Sequence, residues 1–450
     1  MAEIAQDVSL EDIAGEQNHY VSHLAEVNKS NDVIVTEDVR NKNGILLVRK
    51  GARISQDVAQ KILQHKLIKP LEEQVQLENT LSNSNLHHDF KSLADKYHDV
   101  QQIQAIPEYY DTFKNLLEAQ NLDPILMQKL TVLKDRLIEE YDKSLFCAWL
   151  SVLIAKELKL QEDSIEVAFI AGLTHDIGLL HISPDIVQKK QALTTAEWRA
   201  IQSHVVVGQL LLKNIKNLDH RAANAVLEHH ERCDGSGYPA GKAEESLDIM
   251  GQVVGMADSM QAIRVNQFIK TGRNLRDAMP YLHMNASTHF LKVYRAMCSI
   301  LHKSDLQPSR VNPFETFNAL LDHLLIRGKK LQNAVVLLQQ ALELTGYTKG
   351  SNAYNKLIKV IEPVVIMIKT SGLVKEEIIN WLELLQQQPD DTALDEMMEM
   401  ELMQNELYWQ LRKVCKAINE YVEKEARAIA PEHRGQLSRI ATDIDSFLTI

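Results

Sequence analysis

The 450-residue chain is poor in cysteine: four thiols, Cys147, Cys233, Cys298 and Cys415, lie far apart and form no CxxC pair. That excludes a disulfide-stapled scaffold and suits a reducing compartment. Long apolar runs are also missing. Nothing approaches the ~20 consecutive apolar residues that a membrane span needs. The most apolar late stretch, Val364 to Ile368, is bounded by Pro363 and Lys369 and reads as a buried helix segment. Net positive charge is lacking too, since 49 Lys and Arg against 61 Asp and Glu leave −12. That balance disfavours a general nucleic-acid surface, so an anionic ligand must be captured locally. The start, Met1 to Asp7, is acidic and has no signal-peptide core. These absences point to a cytoplasmic protein with neither a membrane nor DNA as partner.

What is present is an ordinary globular balance, 45% hydrophobic and 24% charged, with length enough for two to three domains. Against it stand residues of metal-ligand type. His175-Asp176 sits in Thr-His-Asp-Ile-Gly, and His229-His230 opens His-His-Glu-Arg-Cys-Asp-Gly-Ser-Gly-Tyr-Pro. His204 falls between them and Asp258 follows. Imidazole and carboxylate together suit Fe, Mn or Zn, whereas an all-oxygen set would suit Mg or Ca. Two metals sharing one carboxylate can activate water and clamp a phosphodiester. Asp176 is the natural bridge, with His175 and Asp258 on one side and His204, His229 and His230 on the other. Histidine pairs alone are weak evidence, as His87-His88 in a polar stretch shows; the conjunction with Asp-Gly-Ser-Gly-Tyr-Pro carries the signal.

This combination resembles the HD-GYP family, a branch of the HD phosphohydrolases, over roughly residues 125–310. The resemblance rests on His175-Asp176-Ile177-Gly178, on Thr194 to Glu197 leading to His204, on His229-His230-Glu231 with Gly237-Tyr238-Pro239, and on Ala257-Asp258. It implies an all-helical domain, two divalent metals (one or three as the alternatives), Fe or Mn, and hydrolysis of cyclic di-GMP in bacterial signalling. By that resemblance Asp176 and Arg232 are the catalytic residues. Arg232, Gly237, Tyr238 and Pro239 would contact substrate. For Arg232 the alternative is a surface salt bridge, and for Tyr238 it is core packing. For Asp258 the alternative to a metal is an ion pair with Arg264.

Two positions depart from the family pattern. A ligand His expected on the helix before the His-Asp pair is replaced by Lys143, and no His lies between His98 and His175. An ammonium cannot ligate a metal, but it can stand where a metal's charge would be. Glu139, one turn earlier, is an additional ligand candidate. Leu179 occupies a place where many members carry Lys, and His181 beyond it is a further candidate for ligand or substrate contact.

The sequence predicts a mainly α protein in four parts. Residues 1–75 form a small α/β module, in which Val33-Ile34-Val35 and Ile45 to Val48 flank an Asn-Gly hairpin turn before a helix capped by Ser55 or Asp57. Residues 76–120 read as a linker or exposed helix, 121–310 as the metal-dependent domain, and 311–450 as a bundle of about five helices. The cluster Met397, Met398, Met400 and Met403 reads as a core stripe or, alternatively, as a groove for a signalling partner. Two functions compete. One is a metal-dependent cyclic di-GMP phosphodiesterase; the other is a degenerate member that binds a nucleotide or a partner without turnover. Hydrolysis of another phosphoester or cyclic dinucleotide is a third reading.

Overall fold

A computed structural model describes residues 19–345, 355–424 and 431–448; the acidic start Met1 to Asp7 lies outside them. The chain divides into two compact units. The first holds Met1–Ala262 and Ser287–Leu306, and the second holds Ile263–Ala286 and Gln307–Ile450. Residues 263–286, which the sequence reading assigned to the metal-dependent domain, therefore pack with the C-terminal helices.

In the first unit, four short strands follow the helix Tyr20–Val27: β1 (Val33–Val35), β2 (Val39–Arg40), β3 (Leu46–Val48) and β4 (Val75–Leu77). The Asn-Gly turn is real, with Gly44 at φ +78° and the Asn41 side chain accepting from the Asn43 and Ile45 amides. However, it joins β2 to β3, so the expected pairing of Val33–Val35 with the second run is wrong. β1 instead pairs antiparallel with the distant β4, and its alternation buries Val33 and Val35 while Ile34 faces out. Periodicity of two marks a strand but not its partner. Ser55 caps the helix Gln56–Leu63 by accepting from the Val58 amide.

Residues 83–119 form three helices, Asn83–Lys96, His98–Gln104 and Pro107–Ala119, rather than a linker. Their polar surface hides an apolar stripe: Phe90 and Phe113 meet edge to face at 5.0 Å, and both approach Phe169 of the domain core. Among them, His87 Nε2 donates to the Leu117 carbonyl at 2.9 Å.

The run from Pro124 to Leu160 is a helix pair, Pro124–Arg136 and Ile138–Glu157, broken at Leu137. From Tyr141 to Ala155 the second helix buries almost every residue, as expected of a helix apolar on all sides. It packs against Glu162–Thr174, which delivers His175 and Asp176 at its end. Among the described residues of the second unit five helices follow: Phe317–Leu344, Asn355–Thr370, Glu376–Gln387, Leu394–Lys424 and Pro431–Leu448. Pro363 lies inside the second of these, so it punctuates the sequence without ending the helix. Met397, Met398 and Met400 are buried in the bundle core, which makes that stripe packing material. No helix among the described residues is long and apolar enough to cross a membrane.

Candidate metal centre

Four short pieces of the first unit bring the expected ligands together. His175 and Asp176 end the helix Glu162–Thr174, and the chain then tightens into the 3-10 turn Ile177–His181. Gly178 in that turn is a steric requirement: a Cβ there would sit 2.1 Å from the His204 carbonyl oxygen. Only glycine lets the turn approach the start of the helix His204–Lys213 so closely. The preceding helix Thr195–Gln202 opens with the full capping box of Thr194 and Glu197. His229 and His230 follow the helix His220–Glu228, and Asp258 projects from Ile249–Ile263.

The side chains form two overlapping groups. Asp176, His204, His229 and His230 present ligand atoms within 4.8 Å of one another, and so do Cys147, His175 and Asp258. Asp176 links them, with one carboxylate oxygen 3.2 Å from His204 Nε2 and the other 3.3 Å from His175 Nε2. His204 Nε2 and His229 Nε2 approach to 3.5 Å, and His230 Nδ1 lies 3.7 Å from Asp258.

Three of the imidazoles are oriented by one device. The Nδ1 atoms of His175, His204 and His229 lie 2.9, 2.6 and 2.7 Å from the carbonyl oxygens of Gly172, Ile201 and Val226, each three residues back. A carbonyl only accepts, so each Nδ1 carries a proton and each Nε2 faces the cluster. That tautomer and its backbone anchor are what metal-binding histidines need. His175 Nε2 is fully buried and lies 3.3 Å from the Asp176 carboxylate without a well-formed hydrogen bond, a position that a cation satisfies.

The electrostatics agree. Burial, reinforced by neighbouring imidazoles, holds His229 and His230 far below the usual imidazole range, so both stay neutral. Burial also opposes charge on His175, but Asp176 and Cys147 beside it outweigh that and raise its pKa well above normal. Asp176 is likewise penalised by burial yet held well below the carboxylate range by His175 and by the other histidines. Burial, aided by the Asp176 charge, raises Asp258. The pocket thus draws a positive charge towards Asp176 and Asp258. The donor set, neutral imidazole with carboxylate, fits borderline divalent cations.

Glu231 and Glu228 hold the Gly-Tyr-Pro loop. The buried Glu231 carboxylate accepts from the backbone amides of Ala240, Gly241 and Lys242. Glu228 accepts from the Asp248 amide and pairs with Lys242. Tyr238 stacks on His230 with centroids 4.5 Å apart and meets Trp198 edge-on. Gly237 and Pro239 flank it in the same half-buried loop, across a cis Tyr238-Pro239 bond.

The other candidate residues are engaged elsewhere or lie apart from the ligand groups. Arg232 spends one guanidinium nitrogen on the His229 and Glu231 carbonyls and turns another to Ser259, so it braces the loop. Lys143 does face the site, but Glu139 is exposed; the carboxylate beside Lys143 is Glu140, at 2.7 Å. Burial disfavours the Lys143 charge, but Glu140 more than compensates and raises its pKa. His181 lies outside both ligand groups: its Nε2 accepts from Lys129 at 3.1 Å and its ring stacks on Tyr20. Lys129 in turn pairs with buried Glu72. Leu179 is a core residue, 6% exposed. Cys147, in neither motif, is the ligand-type residue that sequence reading passed over. Its only signal was the i, i+4 spacing from Lys143. A surface cavity of about 520 Å³, lined by Glu157, Leu291 and Arg295 among others, contains none of the residues of the centre.

A helical domain that converges a His-Asp pair, three further histidines and an aspartate on one buried point defines a class, the HD domains. The family model described as HD domain matches residues 124–290. Within that class, part of the chain is similar to phosphodiesterases of cyclic dinucleotides. A cyclic di-GMP phosphodiesterase of Pseudomonas aeruginosa is 32% identical over 133 residues, covering 30% of this chain and 32% of that protein. A cyclic di-GMP phosphodiesterase of Thermotoga maritima is 36% identical over 132 residues, 29% of this chain and 36% of its own length. A 3'3'-cGAMP-specific phosphodiesterase of Vibrio cholerae is 30% identical over 138 residues, 30% of this chain and 31% of its own. The chain therefore spans about a third of the length of the curated relatives that it matches.

Proposed function

We propose that this protein is a metal-dependent phosphodiesterase of cyclic di-GMP, working in the bacterial cytoplasm. The observation that carries the reading is the pair of ligand groups joined through Asp176. His204, His229 and His230 would hold one divalent cation and His175 with Asp258 a second, with Asp176 between them. Iron or manganese fits those donors. Bound cations at such a site supply Lewis acidity to phosphoryl oxygens and lower the pKa of water. The chain's own part is orientation and exclusion of water. The backbone-anchored Nδ1 atoms fix three imidazoles, Glu231 fixes the loop, and Tyr238, stacked on His230, offers an aromatic face to a base. Arg232 keeps the His229 carbonyl and the Asp258 helix in register.

Lys143 favours a second reading, a nucleotide receptor that signals without turnover through residues 311–450. Its ammonium is drawn to the same acidic pocket that would hold the cation beside Asp258. Turnover of cyclic di-GMP by protein prepared anaerobically with Fe(II) or Mn(II) decides between the two. Linear dinucleotide or GMP supports the enzyme. Binding of cyclic di-GMP without product, with turnover appearing in Lys143→His, supports the receptor.

A further inference from the structure

The half-centre around His175 lacks one histidine of the family pattern, yet three ligand-type atoms still converge there. Cys147 is wholly buried on the helix Ile138–Glu157, one turn beyond Lys143 and on the same face. Its Sγ, one ring nitrogen of His175 and one carboxylate oxygen of Asp258 all lie within 4.8 Å of one another. Metal–sulfur and metal–nitrogen bonds of about 2.3 and 2.0 Å at a tetrahedral angle place those atoms roughly 3.5 Å apart, so small side-chain shifts close the site. Gly172 makes the approach possible. A Cβ there would lie 2.8 Å from the Cys147 carbonyl oxygen and from the Ala148 Cα, so only glycine lets the two helices touch. Three residues on, His175 presents its buried Nε2, which makes no well-formed hydrogen bond.

We propose that Cys147, His175 and Asp258 form a sulfur-containing cation site, in which the Cys147 thiolate replaces the histidine lost at Lys143. The inference rests on the metal-centre reading and deepens it. A thiolate is a soft donor, so this half-site takes Fe(II), Co(II) or Zn(II) and discriminates against Mn(II) and Mg(II). Binding releases the thiol proton to solvent, and the thiolate charge helps to offset the nearby Lys143 ammonium. The two half-sites then differ in preference, one imidazole-rich and the other thiolate-bearing.

Cobalt tests this without any turnover. Metal-free, full-length protein is titrated with Co(II) under anaerobic conditions, and absorption is followed in the visible and near-ultraviolet. The expected result is visible ligand-field bands together with an intense near-ultraviolet thiolate-to-cobalt band. The latter is lost in Cys147→Ser and Cys147→Ala but kept in Cys233→Ser, which controls for the other thiol near the centre. Added Zn(II) should erase the band, while a large excess of Mn(II) should leave it. Visible bands with no near-ultraviolet band in the wild type would overturn the thiolate site and leave the metal centre standing, as would a band that survives in Cys147→Ser. No cobalt spectrum at all would overturn the metal centre itself and the thiolate site with it.

Discussion

The two halves of the centre meet at Asp176 but are constructed differently. On one side His204, His229 and His230 form an imidazole wall. Two of its rings are tethered by Nδ1 to the helix that precedes each, and the third is stacked under Tyr238. On the other side, His175 and Asp258 are joined by Cys147, with the Lys143–Glu140 ion pair alongside. The first half needs the packing of two neighbouring helices, since two of its residues are adjacent in sequence and the third starts the helix before them. The second draws on three helices, two of them consecutive and the third, carrying Asp258, much later in the chain. A ligand lost from a motif is conspicuous in sequence, whereas a replacement one helical turn away becomes visible only when the helices are packed.

That contrast can be tested in order of expected effect. Asp176→Ala serves both halves, so it should abolish turnover and both cations. The loss should exceed the roughly 10–100-fold that altered outer partners of a metal site cost, read by metal content and product formation. Lys143→His should act on the second half alone. It removes an ammonium and adds a donor, so binding of the cation beside Asp258 should tighten by about tenfold, or ~1.4 kcal/mol, measured by competition with a chelator. An unchanged affinity would mean that the Lys143 ammonium does not oppose that cation.

Glu231→Ala strips a buried carboxylate from three amides and should lower stability by about 1–3 kcal/mol in chemical unfolding, chiefly by loosening the Gly-Tyr-Pro loop beside the imidazole wall. Thr194→Ala removes the cap of the helix leading to His204 and should cost about 1 kcal/mol. If either change affected the cation beside Asp258 more than the one at His204, the two halves would not be separable in this way.

Acid stability provides the mildest probe and reports on neither half. Burial, with Lys129 beside it, depresses His181 to about 3; burial, with Arg136 nearby, depresses His23 to about 4. A histidine whose folded pKa lies below its unfolded value binds more protons when unfolded. Its contribution is therefore fully present above about pH 6.5 and is lost as the pH falls towards the folded values. Urea unfolding at about pH 7 and about pH 5 should show this loss, and His23→Gln with His181→Gln should flatten it. An unflattened slope would place those protons elsewhere.

The motifs identified the chemistry because each keeps its parts close in sequence. A His-Asp pair, a His-His pair and a Gly-Tyr-Pro loop need only local backbone geometry to be legible, and so do the Thr194–Glu197 capping box and the five-helix count of the tail. Four placements could not be read for one reason, which is that side-chain direction and partner choice are set by packing. Glu139 and Glu140 differ by one step of about 100° around a helix, and that step puts one in solvent and the other on Lys143. His181 follows the His-Asp pair closely but turns towards Lys129 and Tyr20. Arg232 sits in the motif yet is held by carbonyls. β1 alternates like any half-buried strand, and only the fold chose β4 over β3.

By itself the sequence determined a helical domain bearing histidines and carboxylates of metal-ligand type, because those follow from residue type at short spacing. The tertiary structure decided which buried thiol joins His175 and Asp258, because only helix packing, made possible by Gly172, brings Cys147 to them.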